Sequence, residues 1–205
     1  MKKTSLLIAA VFMVISLTRS AAAADSTAPA KPNILFILTD DQGYGDWSTN
    51  GHPLLKTPHV DQLAKESVRL ENFYVSPSCS PTRAALLTGM HEFRNGVTHT
   101  QVPREQLWKG ATTLPELLST AGYRNGIVGK WHLGMGPGCA PAEQGFQHGY
   151  FTPAFNGATR NIRPKASFPF LRGRDEIARV IRTQTEMDMI TGDCTREALA
   201  FIRAN

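Results

Sequence analysis

Beyond its first residues the sequence lacks any long apolar run, any block of basic side chains and any even set of cysteines. After residue 24 no stretch is long or apolar enough to cross a bilayer, so no later transmembrane segment is expected. The formal charge of +5 falls to +2 once Lys2, Lys3 and Arg19 leave with the leader described below, and nothing then suggests a nucleic-acid partner. Local Lys and Arg can still attract an anionic substrate. Three cysteines, Cys79, Cys139 and Cys194, cannot all pair within one chain. With Cys79 set aside as the reactive one, Cys139 and Cys194 either bond to each other or remain two thiols.

Three familiar motifs are also incomplete. His91-Glu92 opens like a zinc-binding H-E-x-x-H, but Asn95 stands where the second histidine is needed. A phosphatase loop of the C-x5-R type fails at Ala85. Gly134-Met135-Gly136-Pro137-Gly138 lacks the third spacing of a dinucleotide fingerprint and reads as a flexible loop.

What is present begins with a leader. Lys2 and Lys3 precede an apolar run from Leu6 to Leu17, and Ala22-Ala23-Ala24 offers a small-residue cleavage site. Residues 1–24 therefore read as a secretory signal peptide, the alternative being a retained N-terminal anchor. Cleavage would leave a periplasmic or secreted protein with no stable membrane insertion. Residues 25–32 form a flexible leader, and residues 33–205 suit one domain with a core, the apolar fraction of 41% being that of a globular chain.

The run Asn33 to Thr39 predicts a strand covered on both faces of an α/β sheet. Asp40 and Asp41 follow at its carboxyl end, where open α/β sheets bind ligands. Two hard carboxylates there suit Ca²⁺ or Mg²⁺, against the plainer reading of solvated loop acids. Thr57-Pro58 predicts a helix start with Val60, Leu63, Ala64 and Val68 on one face, and Asn72 to Val75 a short strand. His52 and His59 read as surface residues.

Cys79-Ser80-Pro81-Thr82-Arg83 to Gly89 predicts a short helix with Ser80 as N-cap, Pro81 in its first turn and Gly89 as its stop. Cys79 would sit at the helix mouth, where unpaired N–H groups favour an anion, and Arg83 lies one turn on. The plainer reading is a buried cysteine with a surface arginine. A polar stretch to Lys109 reads as surface loop. Thr113-Leu114-Pro115-Glu116 is a capping box for a helix ending at Gly122, and Tyr123 to Val128 a strand leading into Gly129-Lys130-Trp131-His132. Alternation would point Lys130 and His132 together and Trp131 away, suiting an anionic group and proton transfer. A solvated Lys and a hydrogen-bonded His is the alternative. Residues 152–175 predict an excursion whose Arg160, Arg163, Lys165, Arg172 and Arg174 either help select substrate or form a solvated face. An amphipathic helix follows from Thr195.

The pattern Cys79-x-Pro81-x-Arg83 with Thr88-Gly89 resembles the signature of the formylglycine-dependent sulfatases, within the alkaline phosphatase superfamily. Asp40-Asp41-Gln42-Gly43-Tyr44-Gly45-Asp46 is similar to that family's first metal motif. Gly122-Tyr123 with Gly129-Lys130-Trp131-His132 is similar to its second signature, Asn125 standing where the family has threonine. Gly145 to Phe151 resembles the stretch that follows. The resemblance implies an α/β fold, a mostly parallel sheet with helices on both faces, alkaline-phosphatase-like and truncated after about half of the catalytic domain.

It also implies that a maturation enzyme oxidises Cys79 to formylglycine. Asp40, Asp41 and the residue formed from Cys79 would meet a divalent cation, calcium or else magnesium. Arg83 would hold the formylglycine, Lys130 would clamp the sulfate of a sulfate ester, and His132 would serve the nucleophile. The substrate could be a sulfated carbohydrate, a small aryl ester or a glycolipid. The family's second pair of metal ligands, a further histidine and a further lysine have no counterpart here. An isolated chain of low or no activity is therefore expected. Two alternatives stand beside this: a phosphonate monoester or phosphodiester hydrolase, and a non-catalytic half-domain that binds an anion or a metal.

Overall fold

A computed structural model describes residues 31–153, 168–173 and 176–205. The expected signal peptide, most of the leader, and Arg160, Arg163, Lys165 and Arg174 lie outside the described residues. The chain divides into two units, Met1–Thr39 and Asp40–Asn205.

In the first unit, residues 31–39 have no regular secondary structure. The strand expected over Asn33–Thr39 is not formed, and Leu35, Phe36 and Ile37 stand more than half exposed. Apolarity states what such a run would bury; ladder partners and covering layers must come from elsewhere in a sheet. The strand expected at Asn72–Val75 is absent for the same reason, with Phe73, Tyr74 and Val75 exposed.

The second unit is built on a four-stranded mixed sheet in the order β1 (Gly126–Lys130), β2 (His148–Thr152), β3 (Phe168–Arg172), β4 (Glu176–Ile181). β1 and β2 run parallel, with Gly126 opposite His148 and Lys130 opposite Thr152. The β2–β3 and β3–β4 ladders are antiparallel, the latter with a register shift at Phe170/Leu171. Strand β3 lies in what the sequence suggested was irregular excursion.

The strand period sorts the core into two layers. Phe151 and Leu171 face one side, where they join Ala84, Val97, Leu107, Ala111, Trp131 and Leu133. Tyr150, Phe170 and Ile181 face the other, with Val128, Ile190 and Cys194. The helices are α1 Pro58–Glu66, α2 Cys79–Thr88, α3 Glu92–Asn95, α4 Leu114–Thr120, α5 Gln184–Asp188 and α6 Ile190–Ala204, of which α2 packs on the first layer and α6 on the second. The expected helix from Thr195 thus begins earlier, at Ile190. Its Phe201 ring stacks on His148 at 5.1 Å and closes over Gly126, where a Cβ would come within 3.0 Å of the ring.

Cys139 donates from Sγ to the Leu107 carbonyl at 3.3 Å, whereas Cys194 packs in the opposite layer. All three cysteines are thiols, so the open choice resolves as two unbridged residues. Among the described residues no helix is long and apolar enough to cross a membrane.

Candidate active site

Helix α2 sets the site. Its N-cap is Ser78, in extended conformation, so Cys79 is the first helical residue and Ser80 and Pro81 lie inside the first turn. The cap expected at Ser80 is displaced by two residues, because Thr82 N–H already bonds the Ser78 carbonyl at 3.2 Å. Gly89 ends the helix in the left-handed region at φ 64°, its N–H donating to Ala85, as its lack of a Cβ allows.

The second side of the site is the end of β1. Arg83 donates from Nη1 to the Lys130 carbonyl at 2.7 Å and places Nη2 3.8 Å from Asp40 Oδ1. Lys130 Nζ grips both Asp40 oxygens, at 2.9 and 3.0 Å. Cys79 Sγ lies 3.3 Å from His132 Nδ1. The chain thus brings Cys79, Arg83, Lys130, His132 and Asp40 into one connected cluster. Asp41 follows at φ 52°, where the chain turns sharply.

Lys130 and His132 both join this cluster, and strand alternation alone does not bring them there. Trp131 and His132 donate their backbone N–H groups to Thr152 and Pro153, extending the pairing with β2, and His132 then adopts φ 60°. Trp131 points into the core, its indole N–H shared by the Gly134 and Cys139 carbonyls at 2.8 and 3.0 Å. The loop expected to be flexible is therefore pinned at both ends.

His132 is 1% exposed. Burial, reinforced by the Lys130 charge, pushes its pKa down to about 4, so it is neutral near neutral pH. Its Nε2 faces the Thr100 carbonyl and a Glu105 carboxylate oxygen, each at 3.2 Å. Burial also lowers the pKa of Arg83, against the opposing pull of Asp40 and Cys79. Arg83 Nε is buried with no hydrogen-bond partner among the described residues, leaving a donor for a ligand oxygen.

A sulfatase family model matches residues 32–202. The chain belongs to the sulfatase family. The chain is 38% identical over 192 residues to N-acetylgalactosamine-6-sulfatase of Mus musculus, covering 86% of this chain and 37% of that protein. It is 47% identical over 132 residues to arylsulfatase A of Bos taurus, covering 62% of this chain and 26% of the relative. Among solved structures, PsFucS1 sulfatase from Pseudoalteromonas sp. matches with a TM-score of 0.68 and 28% identity, over 82% of this chain and 39% of that one. The chain therefore spans about 37% of the length of the first of these curated relatives.

The divalent cation implied for sulfatases can be weighed against the donors present. Asp40 is engaged by Lys130, and among the described residues no three His, Cys, Asp or Glu side chains gather to hold an ion. Calcium takes six to eight oxygens, so the described residues do not by themselves fit it. They contribute at most part of a site.

Two residues in the site were invisible to motif reading. Thr100 and Glu105 lie in the stretch read as surface loop, which instead carries helix α3 and the buried Val97 and Leu107. Val97 and Leu107, apolar residues in a polar run, were the hints of burial that the sequence held. Asn125, the departure from the family threonine, is structural: its Nδ2 donates to Pro115, Ser119 and Gly145 and ties α4 to the start of β1.

Proposed function

We propose that this chain supplies the nucleophile-bearing part of a sulfuric ester hydrolase, with Cys79 converted to formylglycine by a maturation enzyme. The observation that carries this reading is the 3.3 Å approach of Cys79 Sγ to the neutral, buried His132 at the mouth of α2. Formylglycine at residue 79 would supply a hydrated aldehyde as the oxygen nucleophile toward the sulfur of a sulfate ester. Arg83 donates to the oxygens of the matured residue through its unpartnered Nε. Lys130 is held at the mouth by Asp40 and offers its cation to a sulfate oxygen. His132 accepts a proton at Nδ1, the nitrogen facing residue 79, as sulfate leaves.

Asp40 and Asp41 contribute carboxylates to a divalent-cation site, calcium or magnesium, that the described residues do not complete. That shortfall favours low turnover by the chain on its own. The names of the relatives favour a sulfated carbohydrate as substrate. The N-terminal residues favour export to the periplasm or beyond.

The test is mass analysis of the peptide covering residues 76–94 after co-expression with a formylglycine-generating enzyme. Conversion lowers the peptide mass by about 18 daltons, since a carbonyl oxygen replaces SH and H. An unmodified Cys79 under conditions that mature a control sulfatase would remove the reading. Parallel assays against aryl sulfate and phosphodiester substrates then separate the two ester classes.

A further inference from the structure

His132 is held from two sides. Its Nδ1 meets Cys79 at 3.3 Å, while its Nε2 meets the Thr100 carbonyl and the Glu105 carboxylate at 3.2 Å each. A neutral imidazole carries one proton; the Thr100 carbonyl accepts it at Nε2, and the Glu105 carboxylate lies within ion-pair range of the same nitrogen. The other nitrogen is then the acceptor turned toward residue 79.

The geometry points to Glu105 as a positioning residue that, with the Thr100 carbonyl, holds His132 in its Nε2–H tautomer. Glu105 never touches the reacting atoms; it acts through the ring, as the third member of a nucleophile–base pair does. Its placement is built in. The Glu105 side chain is 12% exposed and that of His132 1%. The loop bearing Glu105 is stitched to the strand end by Leu107 N–H donating to the Leu133 carbonyl at 3.1 Å, one residue past the histidine. Within the loop, Arg104 accepts from the Thr98 and His99 N–H groups. The carboxylate thus reaches Nε2 from a segment anchored on both sides of it. Burial raises the Glu105 pKa; as a carboxylate beside Nε2 it favours the ring proton on that nitrogen over Nδ1.

This inference rests on the hydrolase reading only for its consequence, because the tautomer can be observed without turnover. Long-range ¹H–¹⁵N correlation spectra of the ¹⁵N-labelled full chain report which ring nitrogen is protonated. The chain has six histidines, and loss of one pattern in His132→Gln assigns the resonances. The expected result is a neutral Nε2–H ring whose proton exchanges slowly. In Glu105→Gln the tautomer persists but the Nε2 proton exchanges about tenfold faster, the neutral amide being the weaker acceptor. In Glu105→Leu an Nδ1–H population appears. Should the leucine variant not fold, the glutamine variant decides alone. An Nδ1–H ring in the unaltered chain, or identical His132 exchange in the unaltered chain and the glutamine variant, overturns the role of Glu105. Neither result touches the maturation of Cys79, which the mass measurement reads separately.

Discussion

Helices α1 and α2 are nine and ten residues long and both carry proline in the first turn, yet they are held in opposite ways. α2 buries Ser80, Pro81 and Ala84 against the sheet layer of Trp131 and Phe151. α1 buries nothing: Leu63 is 60% exposed, and Val68 just beyond it 88%. Its anchor is polar. Thr57 and Ser48 hydroxyls donate to Asp61 at 3.0 and 2.6 Å, and the Thr57 N–H returns to Ser48 at 2.8 Å. These hydrogen bonds, that from Ser48 foremost, hold the Asp61 carboxyl below its usual range. An amphipathic pattern states which side of a helix would be covered. Whether a cover stands within reach depends on what else the chain folds against it.

The contrast can be broken by experiment, most directly at Trp131. Trp131→Ala removes a ring with two indole hydrogen bonds from the buried layer and should cost about 3–5 kcal/mol in urea unfolding. A loss under about 1 kcal/mol would mean that the layer around α2 is no better packed than α1.

Acidification probes the same layer through His132. Its pKa is depressed in the folded state, so the unfolded chain takes up a proton that the folded one refuses. Stability is therefore full above the ordinary value of 6.5 and lost as pH falls through about 4, by about 3 kcal/mol for this group. His132→Gln should flatten that part of the stability–pH curve, and an unaltered slope would sink the assignment.

At Gly145, φ is 87° and an added Cβ would lie 2.5 Å from the Glu116 nitrogen. Gly145→Ala should therefore destabilise by about 1–3 kcal/mol, read as a lowered urea midpoint. Smallest of all, Leu63→Ser on α1 should change stability by less than about 0.5 kcal/mol. A larger effect would show that α1 has a cover after all.

Local chemistry made much of this chain legible. The Thr113–Glu116 capping box forms as the spacing requires, Thr113 N–H donating to Glu116 at 2.7 Å. Gly89 ends its helix in the left-handed region, and Cys79, Arg83, Lys130 and His132 were nameable because each stands at a fixed offset within a short motif. Nothing local could reveal Glu105, whose acid side chain in a polar run looks solvated. It becomes a partner of His132 only because Leu107 is drawn to Leu133.

The sequence by itself determined the Thr113 cap, the Gly89 stop and the order of the chemistry-bearing residues, since capping boxes, left-handed glycines and motif spacings act over a few residues. Tertiary structure alone decided that Asn33–Thr39 forms no strand, that β3 exists, that His132 turns at φ 60° and that Glu105 meets its ring. Each of those outcomes depends on a ladder or a buried contact with a partner distant in sequence, and such pairing is a property of the whole packed chain.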